Sequence, residues 1–290
     1  MKIKALIRLC RPEQYYKNLV IFLAVFFSGN ILQINYLFSV ILGFISLSLM
    51  SSVNYIINDI TDRENDRHNK EKSKRPLVTG EVTVKSSILL ASFLFIISII
   101  LAYSLALYFL AADLLFFILS SAYSLFLKKE PFIDVIVISS NFVIRALSGA
   151  YIIRVWVSPW LIIGTFFLAL FLATGKRKSE SVFLRKKAEK HRPAMRFYSD
   201  DLLSCLMQIS TTTLLLSYSL YCFLGNNQKL LLTLPFVLYI LLRYLYLIYS
   251  GSDKTRFPSR IIKDKRILLA SAIYALTTFL ILYPNVLPGK

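Results

Sequence analysis

The 290 residues carry 34 Lys and Arg against 16 Asp and Glu, a net charge of +18, yet 56% of the chain is hydrophobic and 14% aromatic, with a mean hydropathy of +0.61. That apolar content exceeds what a soluble core of this length needs and excludes a soluble globular domain. Cys10, Cys205 and Cys222 have neither metal-ligand spacing nor a disulfide framework, and the cations flank apolar runs without any DNA-binding motif, which excludes nucleic acid as a partner.

In chain order, Met1 to Arg8 is basic but lacks the long apolar core of a signal peptide, and predicts an interfacial helix. Arg11, Gln14 and Asn18 follow at i, i+3 and i+7, one face of an α-helix carrying donors toward a polar pocket, while Tyr15 and Tyr16 suit the headgroup belt. Apolar runs long enough to span a bilayer then fall at about 19–34, 36–57, 86–109, 111–127, 133–155, 158–174, 201–224, 229–249 and 267–284. With nine spans, nearly all Lys and Arg fall on one side and only Arg154, Lys229 and Lys290 on the other. The positive-inside rule therefore predicts a multi-pass cell-membrane protein with its N-terminus and long polar loops cytoplasmic and its C-terminus outside. No low-complexity linker divides residues 1–290, so one integral-membrane domain is expected. Two long polar loops, about 58–85 and 175–200, are separated by four spans, a spacing that suggests two four-helix halves, each extending a loop from its second helix.

The first loop opens with Asn58-Asp59-Ile60-Thr61-Asp62-Arg63-Glu64-Asn65-Asp66. With helical spacing Asp59, Asp62 and Asp66 share a face at i, i+3 and i+7 and can converge on one cation. Mg2+, a hard ion completed by water and substrate phosphates, suits three such carboxylates. Arg67, Lys72 and Arg75 follow, and bases beside a metal site match the surplus charge of a Mg2+-bound diphosphate. A solvated loop with internal salt bridges is the plain alternative.

Further on, Asp134, Asn141 and Arg145 form a polar stripe at i, i+7 and i+11 on an apolar helix. Charges inside a span are costly, so the stripe faces a cavity or polar partners, with Arg145 either pairing an acid or binding an anion. The second loop begins Gly175-Lys176-Arg177-Lys178-Ser179-Glu180, where helical continuation brings Lys176, Arg177 and Glu180 together. One acid among several bases favours phosphate over a second metal. Arg185, Lys186, Lys187 and Lys190 read as positive-inside anchors, and Arg243 as a snorkelling or ambiguous charge. His68 and His191 lack partners for nucleophilic catalysis.

The string Asn58-Asp59-x-x-Asp62-x-x-x-Asp66, followed by Arg75-Pro76-Leu77 and Gly80, resembles the first aspartate-rich motif of the UbiA superfamily of intramembrane prenyltransferases. That resemblance implies an all-α integral-membrane fold of nine transmembrane helices around a central cavity with cytoplasmic cap loops, and Mg2+ held by Asp59, Asp62 and Asp66. A narrower resemblance rests on Arg11-Pro12-x-Gln14-x-x-Lys17-Asn18, Asp66-Arg67, Lys72, Arg75-Pro76, Tyr123-Ser124-x-x-Leu127-Lys128, Asp134-Val135, Arg145, Gly149-Ala150 and Gly175-Lys176-Arg177-x-x-Glu180. These look like polyprenyl-phosphate (decaprenyl-phosphate) phosphoribosyltransferases. The resemblance implies transfer of 5-phosphoribosyl from phosphoribosyl pyrophosphate to polyprenyl phosphate, with Asn58, Arg11, Gln14, Lys17, Asn18, Arg67, Lys72, Arg75, Lys128, Asp134, Arg145, Lys176, Arg177 and Glu180 contacting substrate. Gly-Lys-Arg-x-x-Glu stands where aromatic prenyltransferases carry a second Asp-x-x-x-Asp pair. Tyr15-Tyr16 replaces a tryptophan of the pattern, and Asn69 stands where it has histidine, with His68 one place before. The alternatives are transfer of a prenyl group from its diphosphate to an aromatic or other small acceptor and, more remotely, lipid transport.

Overall fold

Residues 2–68, 72–184, 197–225, 227–252, 255, 261 and 263–284 are described by a computed structural model, and among them every regular element is helical. Eight helices are long and apolar enough to cross a membrane. Four lie in each of two compact units, Met1–Trp156 and Val157–Lys290, a partition that matches the two four-helix halves suggested by loop spacing.

The first unit contains α1 (Lys2–Cys10), the 3-10 helix η1 (Pro12–Ile21), α2 (Phe22–Phe27), α3 (Ile34–Thr61), α4 (Arg63–Arg67), α5 (Val84–Leu105), α6 (Leu107–Leu125), the short η2 (Leu127–Lys129) and α7 (Ile133–Ile153). The predicted span at 19–34 is not one long α-helix. It consists of the end of η1, the six residues of α2 and the turn that leads into α3. The remaining spans fall within a few residues of their predicted limits, except that the helix predicted at 158–174 continues to Leu184, ten residues into the second polar loop.

At 28 residues α3 is about 42 Å long, well over the hydrocarbon thickness of about 30 Å, so its charged end emerges from the apolar layer. Its buried face is rich in small residues, Gly43, Ser46, Ser48, Ser51 and Ser52, which let neighbouring helices approach closely. Beside them Ile21, Val25, Val40, Leu47, Met50, Phe109 and Phe116 form the main apolar core. One acid lies inside it: Asp113 of α6 is wholly buried, with its Oδ2 accepting from Ser98 of α5 at 2.8 Å and Ser46 of α3 at 3.2 Å, so a single carboxylate ties three helices. On α7, a Cβ at Gly149 would collide with the carbonyl oxygen of Ile21, so α7 and η1 meet backbone to backbone.

The predicted interfacial helix forms as α1. Ala5 and Leu9 pack with Val53 and Ile56 of α3 and with Leu77 and Val82 of the first polar loop. Arg8 pairs with Glu81 of that loop, while Ile3 and Ile7 point outward. Outward positions on α5, Leu89, Phe93, Ile96, Ile100 and Tyr103, recur at the helical period as a lipid-facing stripe.

The second unit contains α8 (Pro159–Leu184), α9 (Asp200–Leu224), the 3-10 helix η3 (Gln228–Thr233), α10 (Leu234–Tyr249) and α11 (Lys265–Leu282). Phe171, Met207, Leu214, Leu241, Tyr244, Leu247, Ile248 and Ile267 form its core. Gly175 is required for this packing, since a Cβ there would meet Tyr244 and Ile248 side chains at 2.9 Å. Arg243 plays a structural part, with its Nη2 3.1 Å from Asp264 Oδ2, and Asp264 caps α11 by accepting from the backbone of Arg266 and Ile267. In each unit the polar loop follows the first long helix rather than a second one.

Candidate active site

The site is built where α3 stops. Asp62 ends the helix at φ −89°, ψ 1°, and α4 begins one residue later. The three aspartates therefore do not continue one α-helical face. Asp59 lies on the last turn of α3, Asp62 is the junction, and Asp66 lies on α4. Asp59 and Asp66 are almost fully buried and Asp62 is half-buried.

Burying carboxylates in a chain of this kind demands counter-charge, and it arrives from distant sequence. Arg75 Nη1 stands 3.0 Å from Asp59 Oδ1 and also binds Asp66 Oδ2. Arg11 pairs with Asp59 across 48 residues, Lys72 Nζ lies 3.3 Å from Asp66 Oδ1, and Lys128 Nζ lies 2.5 Å from Asp62 Oδ1. Two of the three acids thus converge on a single nitrogen, and the third turns to a different cation.

Local structure holds each base. The Arg75 backbone N–H donates to Lys72 O, and its carbonyl accepts from Val78 and Thr79, so residues 72–79 form consecutive turns. Leu77 anchors them in the core between α1 and α3, and Arg63 Nε donates to the Leu77 carbonyl at 3.1 Å. Gly80 takes a positive φ of 77° that the following turn requires. Burial and the neighbouring Arg11 guanidinium push Arg75 below the usual arginine range, against the opposing pull of Asp59 and Asp66. Arg11 itself sits in the left-handed region at φ 53°, ψ 58°. That conformation is uncommon and costly for a residue with a Cβ and recurs at functional sites. Its guanidinium lies 5.2 Å from the centre of the Tyr55 ring.

The N-terminal donors are arranged by a period of three, not 3.6. In η1 residues at i and i+3 eclipse, so Tyr15, Asn18 and Ile21 share the inner face. Tyr15 OH is 2.8 Å from Ser52 Oγ, and Asn18 Nδ2 donates to Ser48 and Ser51 of α3 at 3.1 and 3.3 Å. The predicted face of Arg11, Gln14 and Asn18 does not form. Asn18 holds η1 against α3, while Gln14 and Lys17 are half-buried. Arg67 turns to Glu64 at 2.9 Å, away from the aspartates. Asn58 stays on the last turn of α3, its carbonyl accepting from the Asp62 N–H.

The stripe on α7 is buried as expected, with Asp134, Asn141 and Arg145 each under a tenth exposed. Arg145 has no acid partner among the described residues. Its guanidinium instead lies 4.5 Å from the Phe116 ring centre and 5.1 Å from that of Phe142, with Nε buried and unpaired. Asn141 Oδ1 and Asn54 Nδ2 are likewise buried without partners, and Asn54 Oδ1 accepts from Ser121. Asn54 and Tyr55 belong to no motif of the sequence, and the one signal for them is an amide one turn before Asn58 on an apolar helix.

In the second unit α8 runs through residues 175–184, so Lys176 and Glu180 meet by helical continuation, Nζ to Oε1 3.9 Å. Arg177 is buried, donating to the Ala173 carbonyl at 3.1 Å and lying over Tyr198. Lys178, not singled out from sequence, is also buried and holds α9 through Asp200 Oδ2 at 2.7 Å and Ser204 Oγ at 3.0 Å. Arg185, Lys186, Lys187, Lys190 and His191, like Asn69 and Lys290, lie outside the described residues.

No group of three His, Cys, Asp or Glu among the described residues is disposed to hold a metal as the side chains stand. The donor set nevertheless fits a hard divalent ion. All its donors are carboxylate oxygens, and two of them already surround one positively charged group.

Comparison with known proteins agrees with this architecture. Residues 19–271 match the model of the UbiA prenyltransferase family. The chain is 28% identical over 236 residues to a decaprenyl-phosphate phosphoribosyltransferase of Mycolicibacterium smegmatis, covering 80% of this chain and 74% of that one. A shorter match, 44% identical over 57 residues and covering 20% of this chain and 19% of the other, is to a 4-hydroxybenzoate octaprenyltransferase of Methylobacillus flagellatus. Among solved structures, a UbiA homolog from Archaeoglobus fulgidus bound to DMAPP and Mg2+ superposes with a TM-score of 0.74 at 22% identity, covering 97% of this chain and 99% of that one. With a family match that spans most of its length and the expected helical membrane fold, this chain is a transferase of the UbiA prenyltransferase family.

Proposed function

We propose that the protein transfers 5-phosphoribosyl from phosphoribosyl pyrophosphate to a polyprenyl phosphate, releasing pyrophosphate. The observation that carries this reading is the 28% identity to a decaprenyl-phosphate phosphoribosyltransferase over 80% of the chain. It is supported by Lys176, Arg177 and Glu180 on α8, where a second acidic pair would be needed for another metal-bound diphosphate.

In this reading Asp59, Asp62 and Asp66 are the residues that would hold Mg2+. An ion bound there would supply positive charge to the pyrophosphate leaving group. Arg75, Lys72 and Arg11 meet the oxygens that the metal does not reach, with planar guanidinium groups suited to paired phosphate contacts. The nucleophile is a lipid phosphate oxygen that already carries charge. Its attack forms the new C–O bond as the bond to pyrophosphate breaks, and no strong general base is required. Positioning and charge neutralisation therefore carry the step. Arg145, buried without an acid partner among the described residues, is suited to an anionic group of either substrate, and Lys17, Lys128 and Asp134 to its placement. Lys176, Arg177 and Glu180 are assigned to phosphate on their charge, and Asn58, Gln14, Asn18 and Arg67 on the family pattern. The site loops and N-terminus are assigned to the cytoplasm and the C-terminus to the outside by the positive-inside rule.

The short match to an octaprenyltransferase favours one alternative, prenyl transfer to an aromatic acceptor. Purified protein is assayed with Mg2+ and labelled phosphoribosyl pyrophosphate plus polyprenyl phosphate, beside a labelled prenyl diphosphate with an aromatic acid. Label entering the lipid phase in the first assay is the expected result. Transfer only in the second overturns the phosphoribosyl reading.

A further inference from the structure

The two acids best placed for a metal are also the two that Arg75 bridges. Its Nη1 contacts both Asp59 Oδ1 and Asp66 Oδ2, so an ion shared by these carboxylates would compete with it for the same oxygens. Arg11 makes a second claim on Asp59, and Lys72 on Asp66. The acids are therefore neutralised from within the chain. A divalent ion reaching them must displace Arg75, and the freed guanidinium, on a side chain only 18% exposed, is left in a poorly solvated place without a counter-ion. Stranding a charge in this way is costly. An anionic phosphate removes the cost, because its oxygens supply the partner that the aspartates gave up.

We infer that Arg75, assisted by Arg11, is an exchange group: it neutralises Asp59 and Asp66 until a metal takes them, then passes to the phosphate, so that metal and phosphate bind cooperatively and each binds poorly alone. The inference rests on the assignment of metal to Asp59 and Asp66. By linkage the coupling is reciprocal, and phosphate tightens metal by the factor by which metal tightens phosphate. The arrangement makes the doubly loaded site the favoured one.

The test uses Mn2+ as the metal, read from the electron paramagnetic resonance signal of the free ion, and inorganic phosphate as an anion that chelates Mn2+ only weakly. In the full-length protein phosphate is expected to tighten Mn2+ binding about tenfold. In Arg75→Gln, Mn2+ alone binds about tenfold tighter than in the unmodified protein, and phosphate adds less than about twofold. Arg11→Gln shows the same changes in smaller measure and serves if Arg75→Gln fails to fold. Lys74→Gln, which removes an equal charge from an exposed side chain with no ion pair to these acids, controls for general electrostatics and shifts Mn2+ affinity less than about twofold.

Equal Mn2+ affinity with and without phosphate overturns the exchange. So does an Arg75→Gln protein that binds Mn2+ no more tightly than the unmodified one, or a Lys74→Gln protein that matches it. Mn2+ bound without coupling sinks the exchange alone, whereas no Mn2+ binding under either condition sinks the metal assignment with it.

Discussion

Each unit ends its first long helix in a cluster of charge, and the two clusters are held by different means. At the end of α3, buried acids draw their partners from 9, 48 and 66 residues away. At the end of α8, Lys176 pairs with Glu180 one turn on, and Lys178 fastens the next helix by Asp200. Long-range convergence on buried carboxylates costs folding energy that local pairing does not. In the first unit several cations gather on the same two buried carboxylates, whereas in the second Lys176 pairs within its own helix and Lys178 fastens one helix to the next.

The sharpest way to break that contrast is Asp59→Asn. Activity is expected to fall by about a thousandfold or more, measured as product formed by protein that still elutes as the unmodified species. Retention of more than about a tenth of the activity would remove Asp59 from the chemistry and leave the cluster structural. Lys178→Gln is expected to do the reverse. Loss of its buried contacts destabilises by about 1–2 kcal/mol, lowering the thermal midpoint by a few degrees, while turnover of the folded protein changes by less than about threefold. A larger loss of turnover at unchanged midpoint would move Lys178 out of the anchoring role.

The smallest effect concerns the strap between α1 and the first polar loop. Arg8 holds the Glu81 carboxyl below the usual glutamate range. The pair therefore adds stability above the ordinary glutamate value and loses it as the pH falls through the lowered one. Glu81→Gln should melt slightly earlier than the unmodified protein at neutral pH and together with it in acid. A gap that widens in acid contradicts this.

Much of this molecule can be read from local pattern, because apolar run length reports spans and the aspartate spacing reports the end of α3. Local pattern is blind to pairings between residues far apart in the chain. The partners of Asp59 and Asp62, Arg11 and Lys128, are set by how α1 and α6 pack against α3, and no spacing rule connects them. Arg243 looked ambiguous until Asp264 stood beside it. Asp113 drew no notice within an apolar run, because its two serine partners lie on other helices. The break at Asp62 and the winding of η1 escape local pattern for another reason: both depart from the 3.6-residue period that defines α-helical faces. Asn18 was expected beside Gln14 and Arg11, and lies in line with Tyr15 instead.

That winding bears on how the chain reaches through a bilayer. A 3-10 helix rises about 2.0 Å per residue, so the ten residues of η1 have a contour of about 20 Å, and the six of α2 add about 9 Å at the α-helical rise. End to end they match a hydrocarbon layer of about 30 Å, where the same residues wound as an α-helix would reach only about 24 Å. The eight long helices are thus preceded by a segment whose contour is comparable to the layer they cross. The stretched coil sets Tyr15, Asn18 and Ile21 of the entry segment in a single file against α3 and lengthens the stretch that leads into the eight long helices.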